Sequence, residues 1–197
     1  MFDTQSRLLI NFVITAVALL VCSPPAHASG VPRGWYLAGS KPADYTASVD
    51  PQAMYNGHPS ACLKAQKPAA EGFGTLMQDF RAQKYAGKRL RLSAFAKTDG
   101  VKGGAALWMR VDKGSESVAF DNMQDRPLLG TTDWKNYDVV LDVPADATGV
   151  FLGVLLGGSG SVCLNNVRLE VVSSETPPTG KAAAQRPDAP VNLDFQD

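Results

Sequence analysis

The sequence predicts an all-β domain built as a two-sheet antiparallel β-sandwich, and three observations support this prediction. The chain has 197 residues, of which 45% are hydrophobic and 19% are charged, so it is long enough for one globular domain and short for two. Its central part contains short runs of alternating apolar and polar residues and no long run with helical periodicity. Gly, Pro and Asp separate these runs, as turn residues do in all-β domains.

The first 28 residues have the pattern of a secretory signal peptide. A short polar start precedes an apolar run over residues 8–21, and an Ala-x-Ala cleavage site ends at Ala28. The run is shorter than the roughly 20 residues of a membrane-spanning helix, and the branched Val21 disfavours a lipoprotein anchor at Cys22. We therefore expect residues 1–28 to form a signal helix that is cleaved, leaving no transmembrane segment and a periplasmic or secreted protein.

Eight segments between residues 34 and 172 have the length and alternation of strands. The clearest are 89–97, 105–112, 117–122, 137–143, 150–156 and 162–172, and the weaker ones are 60–65 and 75–80. Because successive side chains of a strand point to opposite faces, Leu90 and Leu92 should face the core while Arg91 and Ser93 face outward. Both faces of segment 150–156 are apolar, which predicts a central strand.

Several of these segments contain motifs that occur in the same order in a bacterial domain family. The motifs are GFGTLMQ (72–78), GKRLRLSA (87–94), LWMRVD (107–112), AFDNM (119–123), GTTDW (130–134), VVLDVP (139–144) and VRLEV (167–171). Together they resemble the galactose-binding-like, carbohydrate-binding-module type of jelly-roll domain over residues 34–172. In its relatives this domain occurs alone or joined to helix-turn-helix regulators. The resemblance implies a jelly-roll β-sandwich of the carbohydrate-binding type.

After residue 172 the composition shifts to Pro, Ala and Thr, which predicts a flexible linker over residues 173–190. Val191, Leu193 and Phe195 then alternate with polar residues. Two interpretations remain open for this pattern: an incidental apolar cluster, or an extra strand over residues 191–195 that docks on the edge of the sandwich.

The family resemblance adds an implication for the same segment. In that family an Asn-Leu-Asp-Phe motif commonly stands before the Gly-Trp-Tyr stretch, which here is residues 34–36, whereas this chain has the motif at 192–195. The resemblance therefore implies that residues 191–195 supply a first strand from the carboxyl side, either to their own sandwich or by strand exchange with a second copy.

Cys62 and Cys163 remain after the predicted signal peptide, and in an exported protein we expect them to form a disulfide. Residue parity places Cys163 on the face of Val167 and Leu169, whereas Cys62 has the opposite parity to Leu63, so the bond requires a sheet edge or a β-bulge. Two free buried thiols are the alternative. So few nitrogen and sulfur ligands give no zinc site. We assign no metal-binding residues and expect no cofactor, and whether calcium is bound stays open.

The charge balance and the histidine count limit the classes of function. Nineteen basic and nineteen acidic residues, with no Lys/Arg run, make nucleic acid an unexpected partner. His58 is the single histidine after the signal peptide and lies in a Gly-His-Pro turn, so no catalytic residue is predicted. A carboxylate pair among Asp121, Asp125, Asp133 and Asp142 keeps a glycan hydrolase as the less favoured alternative.

A tryptophan and an arginine share the outward face of segment 105–112, and this pair suggests a binding site. Aromatic rings stack on sugar faces, and guanidinium, amide and carboxylate groups bind hydroxyls. The expected ligand-binding residues are Trp108, Arg110, Gln78, Asp121, Asn122 and Trp134. The alternative is that a loop covers Trp108 while Arg110 pairs with an aspartate. A covered Trp108 would favour a structural or protein-interaction component of the cell envelope.

Overall fold

The computed structural model describes residues 30–68 and 70–182, and these residues form strands with two short 3-10 helices. The predicted signal peptide and the segment 191–195 lie outside the described residues. Within residues 30–182, apart from position 69, no helix has the length and hydropathy needed to cross a bilayer.

The described residues form ten strands, and every pairing between them is antiparallel. They are β1 (Tyr36–Gly39), β2 (Tyr45–Tyr55), β3 (His58–Ala65), β4 (Phe73–Arg81), β5 (Lys88–Lys113), β6 (Glu116–Asp121), β7 (Leu128–Val143), β8 (Gly149–Gly157), β9 (Ser161–Val172) and β10 (Lys181–Ala182). The 3-10 helices are Pro42–Asp44 and Ala82–Tyr85. The all-β prediction is confirmed, and each of the eight predicted segments lies on one of these strands.

The long strand β5 belongs to both layers of the sandwich. Its first part pairs with β7 and β9, and its second part pairs with β8 and β6. Layer 1 therefore has the order β1-β4-β8-β5-β6-β10, and layer 2 has the order β7-β5-β9-β3-β2. The two segments predicted on either side of residue 100 are one strand because Gly100 and Gly104, with φ of 60° and 93°, let the chain bend without ending.

The core lies between the two layers and follows the predicted alternation. Leu90 and Leu92 of layer 2 are fully buried, as are Met109 and Val111 of layer 1. Strand β8 lies between β4 and β5, which confirms the prediction of a central strand.

Cys62 and Cys163 lie directly opposite each other on β3 and β9 and form the predicted disulfide. The expectation that Cys163 shares the face of Val167 is wrong because a β-bulge separates the two residues. Ser93 pairs with Arg168 and Phe95 pairs with Asn165, so β9 has one residue more than β5 at this point, and Asn166 has a φ of 50°. The bulge reverses which residues of β9 face outward, so Cys163 lies on the same face as Cys62 and the disulfide can form.

The described part of the predicted linker, residues 173–182, is held against the sandwich. Arg89 Nη1 donates hydrogen bonds to the carbonyl oxygens of Ser174 and Thr176 at 2.6 and 2.7 Å. Further along, Thr179 N donates to Val140 O at 2.9 Å, and β10 then pairs with β6. The rest of the predicted linker lies outside the described residues.

Candidate functional site

Trp108 lies on the outer face of layer 1, as predicted, but it is only 8% exposed. Its cross-strand neighbour on β8 is Gly153, and its Nε1 donates to Thr75 Oγ1 on β4, one strand further, at 2.8 Å. The indole therefore lies across β8 above a residue without a side chain. This burial leaves little of the ring for stacking on a ligand.

Arg110 shares that face and is engaged by neighbouring side chains. Its Nη2 donates to Asp112 Oδ2 at 2.8 Å, and its guanidinium carbon lies 4.4 Å from the centre of the Phe151 ring. Nearby, Tyr36 Oη donates to Asp79 Oδ1 at 2.7 Å. Partial burial, followed by the hydrogen bond to Asp79 and the charge of Asp79, raises the pKa of Tyr36 to about 12.

Gln78 and Asp121 do not lie on the face of Trp108. Gln78 is opposite Leu152, and both Leu152 and Asp121 are opposite Met109, so these side chains share the inner face. Asn122 follows β6 and is half-buried. Trp108 and Arg110 therefore lie on one face of layer 1, and Gln78 and Asp121 lie on the other.

Asp121 is buried in contacts that close the loop after β6. It accepts hydrogen bonds from Arg126 Nη2 at 2.6 Å and from Met123 N at 2.7 Å. Burial alone would raise the pKa of this carboxyl, but the bonds from Arg126 and Met123 N and the Arg126 charge bring it below its usual value. These partners occupy Asp121, so it is not free to bind a ligand.

A polar groove of 430 Å³ runs along the outer face of layer 2. Its lining residues come from the three adjacent strands β7, β5 and β9 and are Arg91, Ser93, Phe95, Asn136, Asp138, Asn166, Arg168 and Glu170. Ser93 is directly opposite Asp138 on one side and Arg168 on the other. Because Ser93 is the smallest of these side chains, it forms the floor, and Asp138 and Arg168 form the two walls.

Two cations and two carboxylates balance the charge of the polar groove. Arg91 Nη2 forms an ion pair with Glu170 Oε2 at 3.0 Å, and Arg91 Nε is buried without a partner in the described residues. Arg168 Nε donates to Asn166 Oδ1 at 3.2 Å. Among the side chains that the structure describes, none forms a hydrogen bond or ion pair with the exposed carboxylate of Asp138. The groove thus offers both donors and acceptors.

Aromatic side chains stand at one end of the polar groove. The rings of Phe95 and Tyr55 stack with centres 4.4 Å apart, and the Trp134 ring lies 5.3 Å from Tyr55. Trp134 Nε1 donates to Met54 O at 3.1 Å. Trp134, alone among the predicted site residues, is therefore beside the groove, although it does not line it.

The sequence prediction missed the groove residues themselves. It did place Arg91 and Ser93 on an outward face, and this alternation was the part of the sequence pattern that pointed to the groove. The pairing of β5 with β7 and β9, which brings Asp138 and Arg168 to either side of Ser93, was not predicted.

A second, apolar cleft of 690 Å³ opens between the layers. Trp35, Phe80 and Tyr85 line it together with the core residues Leu92 and Leu152, and the predicted site residue Gln78 lines it as well. Carbon predominates in this lining, so its chemistry differs from that of the polar groove.

Comparison with known proteins relates the chain to a regulator by sequence and to carbohydrate-binding modules by structure. No protein-family model matches the chain. The protein named Uncharacterized HTH-type transcriptional regulator YbfP, from Bacillus subtilis (strain 168), is 43% identical over 168 residues, which are 84% of this chain and 57% of that protein. The chain thus spans little more than half the length of this relative.

Two solved structures show the fold. One is the CBM22-1 xylan-binding domain of Paenibacillus barcinonensis Xyn10C, with a TM-score of 0.55, 11% identity, and coverage of 74% of this chain and 90% of that one. The other contains the CBM22-1 and GH10 modules of Clostridium thermocellum xylanase 10B, with a TM-score of 0.52, 14% identity, and coverage of 72% and 26%. The resemblance to carbohydrate-binding jelly-roll domains is confirmed as a resemblance of fold.

Proposed function

We propose that this chain is a non-enzymatic binding domain for a glycan or another polar small ligand, and that the ligand lies in the polar groove. The observation that carries the proposal is the placement of Asp138 and Arg168 on opposite walls above Ser93. Two strand spacings of about 4.8 Å separate these walls, which leaves room for a ligand between an acceptor and a donor. The jelly-roll fold shared with carbohydrate-binding modules supports the same function.

The chemistry of the polar groove suits an uncharged polyhydroxylated ligand. Its two positive and two negative side chains give no net charge, so neither anions nor cations are favoured overall. The Asp138 carboxylate can accept hydrogen bonds from ligand hydroxyls, while the Arg168 guanidinium can donate to them. Phe95 adds an apolar surface at one end, as is usual in small-ligand sites.

A binding role fits these residues better than glycan hydrolysis. The two carboxylates of the groove are Asp138 and Glu170, and Glu170 is held by Arg91. The groove therefore does not present the two free carboxylates that most glycosidases use.

The cellular setting belongs to the same proposal. The disulfide between Cys62 and Cys163 supports export to an oxidising compartment, because such bonds are rare in the reducing cytosol. The sequence similarity to YbfP favours a second candidate function, in which the chain is the ligand-sensing part of a transcription regulator. No α-helix is present in residues 30–68 and 70–182, so a DNA-binding helix-turn-helix would have to come from elsewhere.

Calorimetric titration against a panel of cell-wall and plant polysaccharides tests this function. The wild-type chain should bind at least one of them saturably. Asp138→Asn and Arg168→Gln should each weaken that binding by about tenfold or more, since each removes a charged partner of the ligand. Both side chains are exposed, so neither substitution should change the free energy of unfolding much.

Glu71→Gln is the matched control, because Glu71 is an exposed acid outside the groove. Its affinity should equal that of the wild type. Saturable binding that survives both groove substitutions would refute the polar groove as the site. A panel without any binder would favour the envelope-component or regulator alternatives, for which pull-down of protein partners is the next measurement.

A further inference from the structure

The apolar cleft leaves one side of the core open, next to β9. Leu169 is opposite Leu92, so Val167, Leu169 and Val171 all belong to the inner face of β9. Two of these three side chains are nevertheless solvent-exposed, Val167 by 37% and Val171 by 52%. Apolar residues on the inner face of a sandwich are normally covered, so the described residues lack a cover at this place.

The same part of β9 also has a free edge. Strand β3 pairs with β9 from Ser161 to Leu164, and beyond that point no described strand pairs with this edge. The side-chain amide of Asn165 donates to the carbonyl oxygens of His58 and Pro59 at 3.2 and 3.1 Å. These bonds replace the backbone pairing of β3 with β9 at this point. The edge of β9 after Asn165 can therefore pair with another strand through its backbone N–H and C=O groups.

We propose that residues 191–195 of the same chain form this strand, with Val191, Leu193 and Phe195 facing the apolar cleft and Asn192 and Asp194 facing outward. The segment has apolar side chains at every second position, which suits a strand with one buried face. The other long apolar segment, residues 8–21, is apolar on both faces and does not have this pattern.

The chain is long enough to reach the edge. The described residues end with β10, beside β6, at the far side of layer 1. The new strand would face β4, which is four strand positions away from β10, or about 19 Å across the sheet. The eight residues 183–190 that lie between can span about 30 Å when extended, which leaves length for a turn around the end of the sandwich.

The docked strand would complete the sandwich without entering the polar groove. Leu193 and Phe195 would cover Val167 and Leu169 from the side of the cleft, whereas the polar groove is on the opposite face of layer 2. Asn192 and Asp194 would lie on the outer face beside Arg168 and Glu170, away from the groove floor at Ser93. Hydrogen exchange of β9 reads the strand and calorimetric titration reads the groove, so a failure of one proposal can be told from a failure of the other.

Hydrogen exchange of the full chain tests the strand. In Leu193→Asp and Phe195→Asp, those amides of residues 166–172 that point away from β5 should exchange about tenfold faster or more than in the wild type, because the charged side chain cannot remain in an apolar cleft. Asn192→Asp is the matched control, since its side chain faces outward, and it should exchange like the wild type. Leu193→Ala gives the same comparison if Leu193→Asp does not fold.

Equal protection of residues 166–172 in all variants would overturn the proposal, and it would assign the cleft to another occupant or to solvent. Sedimentation equilibrium distinguishes a strand from the same chain from a strand donated by a second copy. A monomer that loses protection in Leu193→Asp supports docking within one chain. A dimer that dissociates in the same variant would show that a second copy donates the strand, which contradicts docking within one chain.

Discussion

At the scale of single residues, Asp121 is a side chain whose chemistry suits a ligand but whose hydrogen-bond partners lie within the protein. Asp121 is 7% exposed, and its carboxylate accepts hydrogen bonds from Arg126 and the Met123 N–H. These bonds hold the pKa of Asp121 below its usual value. The folded state thus binds this proton less tightly than the unfolded chain does, so the group stabilises the fold above the unfolded pKa of about 3.9.

Asp121→Asn should therefore lower the free energy of unfolding at pH 7 by about 2–3 kcal/mol, the usual contribution of hydrogen bonds to a buried charged group. The difference from the wild type should shrink as the pH falls below about 4, because the unfolded wild-type chain then takes up a proton at Asp121 before the folded state does. Urea unfolding between pH 7 and pH 3 measures both effects. Asp146→Asn, which removes an exposed ion pair with Lys113, should change stability little at any pH. A constant difference across this pH range would contradict the assignment.

The residue scale also shows why the predicted site residues do not all share one face of the sandwich. Parity placed Trp108 and Arg110 on one outer face, and the structure agrees. The burial of Trp108 depends on Gly153 being its neighbour across the sheet and on Thr75 lying one strand further. Those pairings join residues that are far apart in the sequence, so no local pattern contains them. The same reason explains why Asp138 and Arg168 were not paired with Ser93.

At the scale of elements, the alternation of apolar and polar residues was sufficient to predict most strands. It failed where the backbone departs from ideal geometry. The bulge at Asn165 and Asn166 reverses the parity of β9, and the bend at Gly100 and Gly104 joins two predicted strands into β5. Both features depend on backbone angles that sequence periodicity does not report.

The disulfide is an element whose contribution can be measured. It closes a sequence separation of 101 residues between β3 and β9. Replacing both cysteines, Cys62→Ala with Cys163→Ala, should lower the free energy of unfolding by about 2–5 kcal/mol, because the unfolded chain gains conformational freedom. Urea unfolding of the oxidised wild type and of the double variant measures this loss. Equal stability of the double variant and the wild type would mean that the bond contributes no net stabilisation.

At the scale of the whole molecule, β5 couples the two layers, since one continuous strand contributes Leu92 to layer 2 and Met109 to layer 1. The buried side chains of both layers also form one continuous core. A layer that lost its structure would expose the inner face of the other. We therefore expect the two layers to unfold together in a single transition.

Leu92→Ala and Met109→Ala test this coupling, because each removes a fully buried side chain from one layer. Each should lower the free energy of unfolding by about 2–5 kcal/mol and keep one transition. Tryptophan fluorescence and far-UV circular dichroism should give the same midpoint, although Trp108 lies in layer 1 and Trp134 in layer 2. Ser117→Ala, at an exposed position on β6, is the control and should leave the midpoint unchanged. Two separated transitions in either core variant would mean that the layers unfold independently, and the continuity of β5 would then not be enough to couple them.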